Sequence, residues 1–462
     1  MFLNSKQLKK TEDIVISPYK WTTMVVKRLR QKNKMKKFEG KKLLLLGSNV
    51  GTIDLIRYAK EHGAITIVAD YLPKNKSFGK QAADKDVMIS TGDFESLKKY
   101  IQEEHVDGVF AGISEFNLLS AMKLCEHFNF PFYCTKEQWD CIEDKEMFRH
   151  LCQTHHVPCP KTYFTGSELP EKVLSTICYP IIIKPVDASS SMGITICKNK
   201  DALIAAIPEA KSHSGKGRFI IEEYLEGEEF TAHYTIANGE ITLSCVDNRV
   251  PVAIHKGDVT TIPLARLYPS TFTNIYISQV DKHVKNMCKS LRINTGVLFV
   301  QGLYNKQHNR FCIFEAGLRC AGEAPYRIIE KVNGINFMNN FVDYALLGRV
   351  EGFDNSKDDP YLNNKICCVV SFVAKGGKVG KITNFEDAVK RVPSIVDTEC
   401  RYHEGDIVPD GNTLRQIMLR FVLICSNREQ LIKDVEIINS TVKVIDEKGH
   451  NMCYTFDAAS YL

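Results

Sequence analysis

The 462-residue sequence predicts an α/β protein with an N-terminal Rossmann-like parallel sheet, a two-subdomain core and a small C-terminal α+β domain. Three observations predict it. Short apolar runs alternate with helix-patterned stretches from Lys42 to about residue 135, the signature of parallel strands joined by helical crossovers. Residues 230–246 and 296–314 are β-rich and carry hairpin turns, which implies a largely antiparallel sheet. An acidic, turn-rich stretch from Glu351 to Pro360 then separates a further unit. The expected divisions are a basic extension over 1–41, the Rossmann-like unit over 42–135, the core over 136–348 and the C-terminal unit over 349–462.

Leu43 to Leu46 form a first strand, followed by a turn at Gly47 and a helix through Ala59. A second strand spans Ala64 to Ala69, a helix Phe94 to Glu104, and a third strand Val106 to Ala111. The turn and the acid Asp70 evoke a dinucleotide site, but Asn49 and Thr52 stand where that motif has its second and third glycines, so a nicotinamide or flavin cofactor is disfavoured. Glu137 to His155 reads as one helix, followed by Pro158 and Pro160 and a strand beginning at Lys161. Further strands cover Pro180 to Lys184 and Phe219 to Glu222, with a helix over 200–210 and a glycine-rich turn from Ser214 to Gly217 between them. Hairpin turns fall at Asn238-Gly239 and Asn305 to Asn309. In the last unit, Lys365 to Ala374 is a strand, Lys375 to Gly380 a hairpin or loop, Arg428 to Asn439 a helix, and Val442 to Asn451 a strand and turn.

Charge is unevenly distributed. Residues 1–42 hold 13 of the 60 Lys/Arg and three of the 55 Asp/Glu, a net of +10, which leaves the remainder at −5. The body therefore has no general polyanion-binding character, while the arm is suited to an anionic surface or an acidic partner, or is a solvated extension. No apolar run reaches the roughly 18 residues a membrane span requires, and no secretory leader pattern opens the chain, so a cytoplasmic location is expected. Sixteen cysteines without a C-x-x-C pair are read as reduced, mostly buried thiols.

Phosphate transfer from a nucleotide needs cations at the phosphates, a loop over them, an acid for the ribose and oxygen ligands for magnesium. Lys145 follows Glu143-Asp144 at a helix start, and Lys184 ends the buried strand Ile181-Ile182-Ile183. The small-residue loop Ser189, Ser190, Ser191, Met192, Gly193 follows, and small side chains let backbone N–H groups approach phosphate oxygens. Downstream come Glu222-Glu223-Tyr224-Leu225 and Glu229, then Gln301 on one strand and Glu315 on the next, able to converge on one point. Arg266 is a candidate for clamping a substrate carboxylate with both arms of its guanidinium.

In this order the lysines, the Ser/Gly loop, the E-x-x-L hinge and the later Glu315-Ala316-Gly317-Leu318-Arg319 segment resemble the ATP-grasp superfamily over roughly residues 42–460. The resemblance implies a carboxylate–amine ligase with an ATP-grasp core. It implies that Lys145, Lys184, Ser189, Ser190, Ser191 and Gly193 hold the phosphates, that Glu222, Tyr224 and Leu225 frame the adenine, and that Glu229 holds the ribose. The metal segment is similar to that of carbamoyl-phosphate synthase large chains, with Gln301 and Glu315 as magnesium ligands. Arg319 would stabilise the transferring phosphoryl group, and His255, in a loop similar to theirs, would approach the phosphates. Gly317 stands where those relatives carry an asparagine ligand, so one Mg²⁺ is expected and the second is in doubt.

The expected chemistry is attack of a carboxylate oxygen on the ATP γ-phosphorus, followed by capture of the acyl phosphate by an amine. A bicarbonate-activating synthase of the carboxyphosphate or carbamoyl-phosphate type and a nucleotide-binding module without turnover stay open as alternatives. Small-molecule acid and amine partners are expected, and a homodimer is admissible.

Overall fold

The computed structural model describes residues 36–188, 192–254, 261–411 and 413–462. Its first layer is a parallel sheet in which strand Lys42–Leu46 lies between Ile65–Ala69 and Gly108–Ala111, with Lys85–Val87 at the edge. Leu43 to Leu46 are at most 1% exposed, as a strand covered on both faces should be. Helices Thr52–Glu61 and Phe94–Glu104 make crossovers, and Glu115–Phe128 packs on the sheet after its last strand. The parallel arrangement is the expected one. Strand Lys85–Val87 was not foreseen, because three largely exposed residues carry no apolar run.

The turn after the first strand is closed by the chain itself. Gly47 and Gly51 take positive φ, and Asn49 Oδ1 accepts from the Ile113 backbone N–H at 3.0 Å. Asp70 accepts from the Leu72 N–H and the Ser77 hydroxyl, capping its own loop. Asp70, the acid a dinucleotide ribose would use, is thus engaged within its own loop.

The single helix expected over 137–155 is two helices, Lys136–Glu143 and Lys145–Thr154. Asp144 interrupts them with extended backbone, and its carboxylate accepts from the N–H groups of Glu146 and Met147. A side chain that satisfies the free donors of a new first turn starts a helix instead of continuing one.

A second sheet has the antiparallel order Thr162–Gly166, Phe219–Glu223, Ile181–Pro185, Thr195–Cys197, and helix Lys200–Ser212 closes its core. A larger sheet runs Arg310–Gly317, Gly296–Asn305, Glu228–Ala237, Glu240–Val252, Ile262–Tyr268, Ile366–Ala374, Ile417–Cys425, Ile395–Cys400, with Cys453–Tyr454 against Ile366–Ala374. Asn238 and Gly239 both take positive φ in the two-residue connection between Glu228–Ala237 and Glu240–Val252, as such a hairpin demands. Ile262–Tyr268 pairs with Ile366–Ala374, so one sheet passes through both sides of position 348. Lys375 to Gly380 is not a simple loop: Gly377–Thr383 is a strand, paired with Ile407–Val408 and Lys443–Asp446 in a small fourth sheet.

Candidate active site

Strand periodicity sets up the first half of the site. Ile181 and Ile183 are fully buried in the core beneath their sheet, so Ile182 and Lys184 project from the other face. Ile182 is the register partner of Glu222, which places Lys184 diagonally across from that carboxylate. The Lys184 ammonium donates to Glu222 at 2.9 Å, and Arg149 donates to both Glu222 oxygens, through Nε and, at 3.3 Å, through a terminal nitrogen. Burial alone would raise the Glu222 carboxyl, but the two cations outweigh it and hold it down to about 2.

Arg149 also joins this sheet to the larger one, because the same terminal nitrogen donates to the Phe314 carbonyl at 2.6 Å. Phe314 is the extra residue of a β-bulge: Gln301 pairs with Glu315 while Gly302 pairs with Ile313. Bulges re-aim groups beside functional sites. Here the bulge turns a carbonyl to the guanidinium and leaves Gln301 and Glu315 facing each other on adjacent strands.

Lys145 opens the helix begun by Asp144 and donates to the Ala188 carbonyl at 2.7 Å. Burial holds its ammonium below the ordinary lysine value, with Lys184 pushing the same way and Glu315 opposing. Lys216 pairs with Asp144 across the same opening. Lys145, Glu143, Asp187, Ala188, Lys216 and Glu315 border a cleft of about 240 Å³ between the two sheets. Of the residues expected at a triphosphate, Lys145 and Glu315 border this hollow.

The connection 224–227 links Phe219–Glu223 to Glu228–Ala237. It carries Tyr224, whose N–H donates to the Pro180 carbonyl, and half-buried Leu225. Glu229 pairs with Arg249, which also donates to Thr261. Gly193 takes φ +67 against Pro185 and His213, where a side chain would be crowded. Arg319 lies over the Phe299 ring at 5.2 Å, with its Nε 3.8 Å from Glu115. Arg266 is enclosed: its terminal nitrogens are taken by Thr231, Asp247 and Glu323, so it presents no free fork to a substrate carboxylate. Ser189, Ser190, Ser191 and His255 lie outside the described residues.

Several contributors were missed in the sequence. Arg149 stands four residues after Lys145 on one helix, a spacing that shares a face, and this was the available signal. Lys216 lay hidden in what read as a glycine-rich turn, and Arg249 in an ordinary strand. Glu143 was visible only as the residue before the cap. Its carboxyl is pushed up to about 8, chiefly by burial, with Glu115 and Glu315 adding and Arg319 opposing.

Among the described residues no group of three or more His, Cys, Asp or Glu side chains is gathered as a metal cage. The pairing of Gln301 with Glu315 offers oxygen donors only, a set that fits magnesium, which keeps several waters and binds through one or two carboxylates and substrate phosphates.

Residues 177–325 match the ATP-grasp domain family model. The chain is 25% identical over 283 residues to the carbamoyl phosphate synthase large chain of Clostridium acetobutylicum, covering 60% of this chain and 25% of that one. It thus spans about a quarter of that relative's length. The fold is similar to the L-amino acid ligase from Bacillus licheniformis, with a TM-score of 0.69 at 16% identity over 88% of this chain and 99% of that one. It is also similar to the biotin carboxylase domain of the 2-oxoglutarate carboxylase from Hydrogenobacter thermophilus, with a TM-score of 0.71 at 16% identity over 89% and 91% of the two chains. The protein contains an ATP-grasp domain within an ATP-grasp fold. Its sequence kinship is with carbamoyl phosphate synthase large chains.

Proposed function

We propose that this protein is an ATP- and Mg²⁺-dependent ligase that activates a carboxylate as an acyl phosphate for attack by an amine, releasing ADP and phosphate. The observation that carries the reading is the single cleft in which Lys145 and Glu315 face each other, with Lys184 and Arg149 held behind it by Glu222. Lys145, Lys184, Lys216 and the 188–193 loop would receive the triphosphate. Glu222, Tyr224 and Leu225 would frame the base, and Glu229 the ribose, in keeping with their positions at the hinge between the sheets. Gln301 and Glu315 would hold magnesium, which when bound neutralises charge across the phosphates.

In the first step a substrate carboxylate oxygen attacks the γ-phosphorus, the β–γ bridging bond breaks, and ADP leaves. The amine then adds to the acyl carbon, phosphate departs with the C–O electrons, and the amine proton passes to solvent. Arg319 would bear on the transferring phosphoryl group, since a planar fork suits that charge. The 42–135, 136–348 and 349–462 segments are proposed as working units.

Two further elements belong to this reading. No helix among the described residues is long and apolar enough to cross a membrane, and the sixteen thiols are all free, which supports a reducing, cytoplasmic setting. The Hydrogenobacter domain was crystallised as a dimer, and a homodimer is proposed here, to be checked by sedimentation. The deciding experiment is an ADP-release screen of the purified chain with Mg²⁺ across carboxylates and amines. ADP release that requires both an acid and an amine supports the ligase.

The kinship with carbamoyl phosphate synthase favours a second reading, bicarbonate as the activated acid. ADP release stimulated by bicarbonate alone would select it, and nucleotide binding without release under every mixture would select a non-catalytic module.

A further inference from the structure

Position 317 offers the cleft no side-chain oxygen, yet the space beside it is filled. A Cβ built on Gly317 would lie 3.3 Å from Glu143 Oε1 and 2.6 Å from the Phe299 ring. Residues 315 and 317 share a face of strand Arg310–Gly317, so Glu143 reaches the region beside Glu315 that a longer residue at 317 would occupy. Glu143 comes to this place from the end of helix Lys136–Glu143, held there by the Asp144 break.

Glu143 Oε1 is buried and has no hydrogen-bond partner. A buried polar atom left unmatched is costly: Glu115 and Glu315 share its sign, and Arg319 and Lys145, which oppose them through space, give this oxygen no hydrogen bond. Glu143 and Glu315 both border the cleft. An oxygen that is orphaned, enclosed, beside a second carboxylate and facing the phosphate cleft is what a hard divalent cation uses.

We propose that Glu143 is a direct oxygen ligand of a divalent cation in this cleft, in company with Glu315, and that it takes over the place left vacant by glycine at 317. The carboxylate arrives from a different element of the chain, so the metal seat spans the helix pair and the larger sheet instead of residing on one hairpin. The inference rests on the nucleotide reading of the cleft.

The test is Mn²⁺ binding to the full chain, followed by electron paramagnetic resonance at saturating imido-bridged ATP analogue, for the wild type, Glu143→Gln and Glu315→Gln. Glu143→Gln is expected to weaken Mn²⁺ binding at least about tenfold. It should leave the melting temperature of the metal-free protein unchanged or raised, since an unmatched carboxyl has been removed. Equal Mn²⁺ affinity in the wild type and Glu143→Gln overturns the assignment while leaving the nucleotide site standing. Failure of the wild type to bind the analogue overturns both. A metal-free melting temperature that falls in Glu143→Gln together with Mn²⁺ binding assigns the residue to folding and also overturns it.

Discussion

Lys184 and Glu222 form a buried ion pair at 2.9 Å within the sheet that backs the cleft. The carboxylate is shared with Arg149, so neither cation can be removed without leaving the other to hold an enclosed negative charge. Breaking such a buried group by deleting one partner costs about 3–5 kcal/mol.

Arg149→Met should therefore destabilise the protein by about 3 kcal/mol, and more than Lys184→Met does, because it also abandons the Phe314 carbonyl. Urea unfolding of the two variants provides the comparison. Lys184→Met is expected to show the larger loss of ATP affinity by calorimetry. An identical affinity to wild type would remove Lys184 from the phosphate site.

Glu315→Gln should lower turnover on the order of 10²-fold or more in the ADP-release assay, given its place opposite Gln301. Nucleotide binding measured without divalent cation should be little changed. A variant with undiminished release would take Glu315 out of the chemistry.

Glu323 gives a pH test away from the cations' seat. Burial would raise its carboxyl, but Arg266 and Arg420 hold it down to about 2, against 4.5 ordinarily. A depressed acid contributes stability that is present above its unfolded value and lost as pH falls toward its folded one, since the unfolded chain then binds the extra proton. Unfolding free energy should thus drop between about pH 4.5 and pH 2, and Glu323→Gln should flatten that slope. An unaltered slope in the variant would contradict the assignment.

Cys178 and Cys400 are the two exposed cysteines among the sixteen. Brief alkylation of the native protein should mark these first. Burial raises thiols such as Cys125 and Cys288 to about 12, so they should react only after unfolding. Peptide mapping by mass spectrometry distinguishes the outcomes.

Elements written in strong local patterns were legible. Leu43 to Leu46 and the Asn238-Gly239 turn carry their conformations in short stretches, and the facing of Gln301 and Glu315 followed from a hairpin with a readable turn. The break at Asp144 was harder, because a capping aspartate inside an apolar-periodic stretch is outvoted by its neighbours. Arg149, Glu143 and Phe314 acquire meaning only through residues far along the chain, Glu222 and Gly317 among them. Long-range pairing of that kind leaves no local trace. The bulge at Phe314 likewise depends on the register of two strands.

The uninterrupted large sheet bears on how this protein can be cut. Ile262–Tyr268 hydrogen-bonds to Ile366–Ala374, whose residues Cys367 to Ala374 are nearly all shielded from solvent. A gene product ended at residue 348 would bare the backbone donors and acceptors of Ile262–Tyr268 together with an apolar flank, a ready template for another chain's strand. Such a fragment should precipitate or form mixed aggregates, whereas an excision confined to the Rossmann-like layer would leave every strand of the large sheet with its neighbour.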